Sequence, residues 1–295
     1  MNQLTSLFLN RRQSGPVQLP DDAAQRLQKL EGIQAVVFDV YGTLFSSGVG
    51  DISLATEQNR DTALRTTLSE NGIKISDTLA SKRFDDHLHT VIHKHQDQRR
   101  EAGIRYPEVD ILRVWADFIE ELQDTAAIQL STDIDPSLLA VDYESRVNPI
   151  QPMPALSETL ATLQARGLVM SIISNAQFYT PLLFDTFLEK DLSELGFCLD
   201  SAVWSYAMLE GKPSTALYIN SAQLLQKHHG IQPEHVLYVG NDMRNDIWPA
   251  KEVGYKTALF AGDRLSLRRR VGDPLDNGSQ ADVEITSLDQ ILEII

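Results

Sequence analysis

Residues 33 to 45 read IQAVVFDVYGTLF. The run from Ile33 to Phe38 is almost continuously apolar and rich in β-branched side chains, and it stops at Asp39 and a Tyr-Gly-Thr turn. A strand that is apolar on both faces is one buried on both faces, the condition of a strand inside a parallel sheet covered by helices. Ligands of such sheets sit beyond the carboxyl ends of the strands, so Asp39 stands where chemistry is expected.

Strand-like runs recur at Val169 to Ser174, Ala202 to Trp204, His235 to Gly240, Lys256 to Ala261 and Asp282 to Ile285. Helical stretches lie between them, at Ala155 to Arg166, Pro213 to His229 and Asp246 to Val253. The alternation predicts an α/β fold, a three-layer, doubly wound parallel sheet. The block from about Asp51 to Arg146 differs. Its segments Thr62 to Asn71, Thr78 to Glu101 and Val109 to Asp124 repeat their apolar residues at 3.6-residue spacing. The expectation is therefore a core interrupted after its first strand by an all-helical cap. The prolines of NPIQPMPAL, residues 148 to 156, mark the return. The expected division is core at 33–47 and 149–295, cap at 48–148, and an N-terminal extension at 1–32. In that extension DDAAQRLQKLE, residues 21 to 31, sets Ala24, Leu27 and Leu30 on one face and predicts a short helix.

Composition narrows the function. The 295 residues carry 26 Lys+Arg against 41 Asp+Glu, a net charge of −15, with 42% hydrophobic and 23% charged residues. A nucleic-acid binder needs clustered basic residues to displace counterions, so a nucleic-acid partner is not expected. No run approaches the roughly 20 apolar residues of a membrane helix. The start MNQLTSLFLNRRQSG places its apolar patch before its arginines, the reverse of a secretory signal, so a cytoplasmic protein without a membrane partner is expected. The lone Cys198 excludes an internal disulfide and a thiolate metal cluster, and reads as a small buried apolar residue.

Four strand ends carry polar groups: Asp39 with Tyr41, Gly42 and Thr43; Ser174 with Asn175; Lys212 with Pro213; and Gly240 with Asn241, Asp242 and Asp246. Each alone is ordinary, because Asp, Ser and Gly are common turn formers and helix caps. Their order carries the signal. A nucleophilic carboxylate that must approach an anion needs a cation beside it, which Lys212 supplies as a fixed charge and a carboxylate-held divalent ion supplies as a second. Ser174, Asn175 and the main-chain N–H groups of residues 41–43 are candidates for holding the oxygens of a transferring group.

In this order FDVYGTLF (38–45), SIISNA (171–176), GKPSTALY (211–218) and YVGNDMRND (238–246) resemble the four motifs of the haloacid dehalogenase superfamily, whose helical cap is inserted directly after the first motif. The resemblance implies a hydrolase forming a covalent intermediate on Asp39, with Lys212 as the fixed cation and Gly42, Thr43, Ser174 and Asn175 binding substrate. It implies Mg²⁺ held by Asp39, the main-chain carbonyl of Tyr41, and Asn241, Asp242 and Asp246. The expected substrate is a small molecule, a phosphate ester or a haloacid.

Two positions depart from the phosphatase pattern. Phosphatases of the family usually carry Asp two residues after the nucleophile, as the acid that protonates the leaving alkoxide; here that residue is Tyr41. Tyr there is the pattern of the 2-haloacid dehalogenases, whose halide leaves without a proton. Ser174, Asn175, Lys212, Pro213 and Tyr218 also fit dehalogenases, but the last three occur in phosphatases too. The oxygen-rich fourth motif points the other way, toward a metal, although Asn241 occupies the usual metal-binding Asp position and Asp242 follows one residue later. The balance predicts a Mg²⁺-dependent phosphatase with an impaired acid step. The loss of a general acid costs roughly 10²-fold or more, so acyl or aryl phosphates are favoured. The alternatives are a 2-haloacid dehalogenase and a binding or regulatory protein that has lost turnover.

Other features read as structural. His87, His89, His93 and His95 lie among charged residues and read as a solvated helix face rather than a zinc site. Arg264 to Arg270, RLSLRRR, reads as an exposed loop pairing with an acidic surface of a partner subunit. Leu112, Trp115 and Phe118 read as cap core.

Overall fold

The computed structural model describes residues 2–47, 57–76, 83–131, 133–275 and 278–295. The chain opens with helix α1 (Gln3–Asn10), capped by the Asn2 side chain on the Thr5 N–H. Strand β1 (Ala35–Phe38) follows, every residue of it buried. Successive side chains of a strand point to opposite faces. Val36 and Phe38 pack into one apolar cluster and Ala35 and Val37 into another, which makes β1 the middle layer of three.

Strand β2 (Phe45–Ser47) carries the chain outward. The region beyond it contains α2 (Glu57–Glu70), β3 (Ile73–Ile75), α3 (Phe84–Glu101), α4 (Ile111–Asp124), β4 (Ile128–Leu130) and α5 (Pro136–Val147). The expected start of the helical block at 51–56, and residues 78–82 of the helix expected over 78–101, lie outside the described residues. Trp115 and Phe118 are buried as expected, while Leu112 is only half-buried. The helical cap also contains a short antiparallel pair, β3 with β4, with Ile73 opposite Leu130. Strand β5 (Ile150–Pro152) then runs back antiparallel to β2, with Ser47 opposite Ile150.

The return segment completes the sheet with α6 (Leu156–Ala165), β6 (Val169–Ser174), α7 (Leu182–Leu188), β7 (Val203–Trp204), α8 (Ser205–Met208), α9 (Thr215–His229), β8 (Val236–Gly240), α10 (Trp248–Glu252), β9 (Lys256–Phe260), β10 (Val283–Ile285) and α11 (Ile291–Ile294). The six strands are parallel in the order β10-β9-β8-β1-β6-β7. Leu217, Tyr218 and Leu225 of α9 cover one face, and Leu156, Leu160 and Leu163 of α6, with Ile291 of α11, cover the other. Phe38 lies opposite Ile172 on one side and Val239 on the other, so the carboxyl ends of β1, β6 and β8 converge.

Three local expectations are corrected. Residues 21–31 are not helical; Arg26 and Glu284 exchange main-chain hydrogen bonds of 3.0 and 3.1 Å beside β10, and the Arg26 guanidinium binds the carbonyls of Ala281 and Asp282. Sheet-edge pairing supplies the backbone partners that a lone helical turn would have provided. The helix expected at Asp246 opens earlier, as a π-helical turn at Met243–Ile247 that precedes α10. Cys198 is half-buried rather than fully enclosed.

Candidate active site

Asp39 leaves β1 with its N–H on the Val239 carbonyl (2.9 Å), and its carboxylate is buried at the sheet edge. Oδ1 accepts from Lys212 Nζ at 2.7 Å and from Ser174 Oγ at 3.0 Å. Oδ2 lies 3.5 Å from Thr43 Oγ1. The turn after it folds tightly, with the Gly42 N–H on the Phe45 carbonyl (2.7 Å) and the Thr43 N–H on the Val40 carbonyl (3.3 Å). Gly42 has φ +83°, and a Cβ there would stand 2.6 Å from Ser266 Cβ and 2.7 Å from Asn241 Nδ2. The turn thus needs glycine twice over, for its left-handed backbone and for the approach of the fourth motif.

Lys212 is the hub. Its ammonium gives one proton each to Asp39 Oδ1 (2.7 Å), Asp246 Oδ1 (2.7 Å) and Tyr238 OH (2.8 Å), the full capacity of a lysine. Its own N–H is fixed on Asn175 Oδ1 at 2.8 Å. Burial opposes the ammonium charge, but the carboxylates of Asp246 and Asp39 outweigh that and hold its pKa above the usual range. Burial pushes Asp246 up to about 7 against the pull of Lys212. Two carboxylates therefore share one cation in a nearly dry site.

In the fourth motif, Asn241 Oδ1 accepts from Thr43 Oγ1 at 3.1 Å, and its Nδ2 donates to the Ser266 carbonyl at 2.6 Å. The amide is thereby held with its oxygen toward the first motif. Asp242 turns elsewhere: its carboxylate takes the Arg270 fork, with Nε at 3.0 Å and Nη2 at 2.5 Å, and caps the Arg244 N–H at 2.9 Å. Asp246 Oδ2 accepts from the Asp242 N–H at 2.9 Å. Gly240 makes room for this packing, since a Cβ there would meet Asp246 at 2.5 Å. Tyr218 OH donates to the Asn245 carbonyl at 2.6 Å, bracing the loop from α9.

The geometry brings all four motifs to one sheet edge. The family model of haloacid dehalogenase-like hydrolases matches residues 33–254. The chain belongs to this family. Solved structures with the same fold include a 2-haloacid dehalogenase from Pseudomonas syringae pv. Tomato DC3000, 20% identical, with a TM-score of 0.56 over 89% of this chain and 97% of that one. Weaker similarity is found to a phosphatase from Thermococcus onnurineus (20% identical, TM-score 0.49, 89% and 97% covered) and an L-2-haloacid dehalogenase from Xanthobacter autotrophicus (21% identical, TM-score 0.46, 88% and 97% covered). No curated protein matches the sequence.

In this haloacid dehalogenase-like hydrolase the motifs open into a cavity of about 300 Å³. Tyr41, at the family's usual acid position, anchors its hydroxyl on Thr180 Oγ1 (3.0 Å), and burial together with the Glu144 charge raises its pKa well above the ordinary phenol range. It is a neutral hydrogen-bonding group. From the cap side come Glu108 and Glu144, whose carboxyls burial pushes upward. Glu108 accepts from the Val109 N–H (2.8 Å) and Ser205 Oγ (3.0 Å), while Glu144 accepts from Asn148 Nδ2 (2.9 Å) and is hydrogen-bonded to Tyr179.

Sequence reasoning missed Glu108, Glu144, Arg268 and Arg270 as cavity-lining residues. The arginines belong to the loop read as an exposed surface for a partner subunit; instead it docks on the fourth motif and pairs within the chain. The strand-end rule, applied at β9 as it was at β1, would have found them. Three of the four histidines are half-buried and not on a fully solvated face: His95 binds Asp117 at 2.8 Å, His87 lies 3.0 Å from Glu121 with its ring against Phe118, and His89 lies 3.5 Å from the buried Asp85. Among the described residues no helix is long and apolar enough to cross a membrane.

Proposed function

We propose that the chain is a Mg²⁺-dependent phosphohydrolase that takes the phosphoryl group of a small phosphate ester with a good leaving group onto Asp39 as an acyl phosphate, which water then cleaves to inorganic phosphate and free Asp39. The supporting observation is the donor set beside Asp39. Lys212 is bonded to Asp39 Oδ1 and leaves Oδ2, Asn241 Oδ1 is oriented by Ser266 and Thr43, and the main-chain carbonyl of Tyr41 would complete the set. These are hard oxygens and fit a divalent cation, with fewer charges than a pair of acids would give. Asp242 and Asp246 support this set from behind, because Arg270, Lys212 and Tyr238 hold their carboxylates. When bound, the cation supplies positive charge to the phosphoryl oxygens.

The chain's own groups do the rest. Ser174 and Lys212 hold the Asp39 carboxylate for attack on phosphorus, and Lys212 places positive charge beside the incoming oxygens. Asn175 spends its Oδ1 on Lys212 and keeps Nδ2 to donate to the transferring group. Tyr41, its hydroxyl on Thr180 and its pKa raised by burial, is a poor proton donor to the leaving group, so esters whose leaving groups depart as stable anions are preferred.

Tyr41 favours a second reading, halide displacement from a 2-haloacid. The lining weighs against it. Glu108, Glu144, Asn148 and Gln177 offer hydrogen bonds rather than the apolar cradle that a halogen on carbon requires. The test is turnover of acyl, aryl and alkyl phosphates and of 2-chloropropionate, with Mg²⁺ or a chelator. Acyl and aryl phosphates should exceed alkyl phosphates by roughly 10²-fold, with Mg²⁺ required. Halide release without phosphate release would reverse the reading.

A further inference from the structure

The loop that follows β9 is clamped to the fourth motif by its main chain. The Arg268 N–H donates to the Asn241 carbonyl and the Met243 N–H to the Arg268 carbonyl, both at 2.9 Å. Asp263, buried beneath, accepts from the Leu265 N–H at 3.1 Å and Ser266 Oγ at 2.5 Å. The side chains of Arg268 to Arg270 then go to three different ends. Arg269 binds Asp22 and Glu284, each at 2.6 Å, and Arg270 binds Asp242 at 2.5 Å. Arg268 lines the cavity and, among the described residues, has no carboxylate within ion-pairing distance.

The Arg268 guanidinium is nevertheless held in place. Its Nη1 donates to the carbonyls of Leu265 (2.7 Å) and Leu267 (3.0 Å). Leu265 is 43% exposed and Arg268 itself half-buried, so the guanidinium is tethered to a solvent-facing stretch of the loop that lines the cavity. Its Nε and Nη2 remain as a planar donor edge of the shape that carboxylates and phosphates accept. The oxygens of a phosphoryl group on Asp39 already have the Asn175 amide to donate to them and the positive charge of Lys212 beside them. We propose that Arg268 forms a subsite for a second anionic group, so that the substrate is a phosphate monoester that also carries a carboxylate or a second phosphate. The proposal rests on the phosphohydrolase reading and adds the substrate class. Burial pushes Glu108 and Glu144 toward their neutral forms, which lessens the repulsion that such a substrate would meet.

The test compares ethyl phosphate with carboxymethyl phosphate and ethane-1,2-diyl bisphosphate, in the native chain and in R268Q and R268K. Turnover is one readout; calorimetric binding to the same set in an Asp39→Asn background is the other. The native chain should prefer one doubly functional ester over ethyl phosphate by roughly tenfold or more, and which one identifies the second group. R268Q should abolish that preference, and R268K, which keeps the charge without the planar edge, should retain part of it. Absence of preference in the native chain, an equal loss for all three esters in R268Q, or a native-like preference in R268K overturns the proposal. If no ester turns over but binding still shows the Arg268-dependent preference, the phosphohydrolase reading fails and the subsite stands.

Discussion

On the core wall of the cavity charge meets charge: Lys212 spends its three protons on Asp39, Asp246 and Tyr238, and Asp242 is taken up by Arg270. On the cap wall Glu144 is buried and Glu108 half-buried, and both are met by neutral donors, a main-chain N–H, a serine, an asparagine and a tyrosine. The first arrangement is electrostatic preorganisation, in which fixed charges await charge that develops during reaction. The second is a neutral hydrogen-bonding surface, suited to telling one leaving group from another. On the proposed function, the core wall would carry the chemistry and the cap wall would meet the leaving group.

Breaking the core wall should have the largest effect. Lys212→Met leaves the Asp39 and Asp246 carboxylates buried without their cation, and removing one partner of a buried ion pair costs about 3–5 kcal/mol. Denaturant unfolding should show that loss together with the disappearance of turnover. A loss under about 1 kcal/mol would mean that this wiring contributes little to the fold.

An intermediate effect is expected where the walls meet. Tyr41→Asp restores a carboxyl at the family's acid position, and general acid catalysis is worth roughly 10²-fold or more. Alkyl phosphate turnover should rise relative to aryl phosphate turnover, seen as a narrowed ratio of kcat/KM. An unchanged ratio would show that leaving-group protonation does not limit the reaction.

The smallest effect belongs to the cap wall and depends on pH. Burial raises the Glu144 pKa, so its contribution to stability is full below the ordinary carboxylate range and is lost as pH rises through the raised native value. Glu144→Gln keeps an oxygen for Asn148 and carries no charge. Its Tm should match the native Tm near pH 4 and exceed it increasingly toward pH 8. A difference independent of pH would show that Glu144 titrates normally.

The legible parts of the fold were those whose burial leaves a mark on a single segment. Strands β1, β6, β8 and β9 are enclosed on both faces and read as apolar runs, and their polar ends marked Asp39, Ser174 and Asn241. The three-residue strands β3 and β4 are too short for any period to show. Residues 21–31 have the spacing of a helix, yet the pairing of Arg26 with Glu284 comes from a distant strand that no local pattern records. The fate of Asp242 was equally hidden, because Arg270 reaches it across 28 residues of sequence. A run of arginines reads as solvated surface until the loop is seen to pass over a strand end.

The proposed chemistry turns on the bond that Asp39 forms. The direct measurement is acid quenching of the protein during turnover of an aryl phosphate with Mg²⁺, followed by mass spectrometry of the peptide containing Asp39, with the Asp39→Asn protein alongside. A phosphoryl group on Asp39 in the native chain, absent from the variant, is the predicted result. Phosphate release with Asp39 unmodified, or an alkyl ester formed on Asp39 from 2-chloropropionate in place of the phosphoryl group, would contradict it.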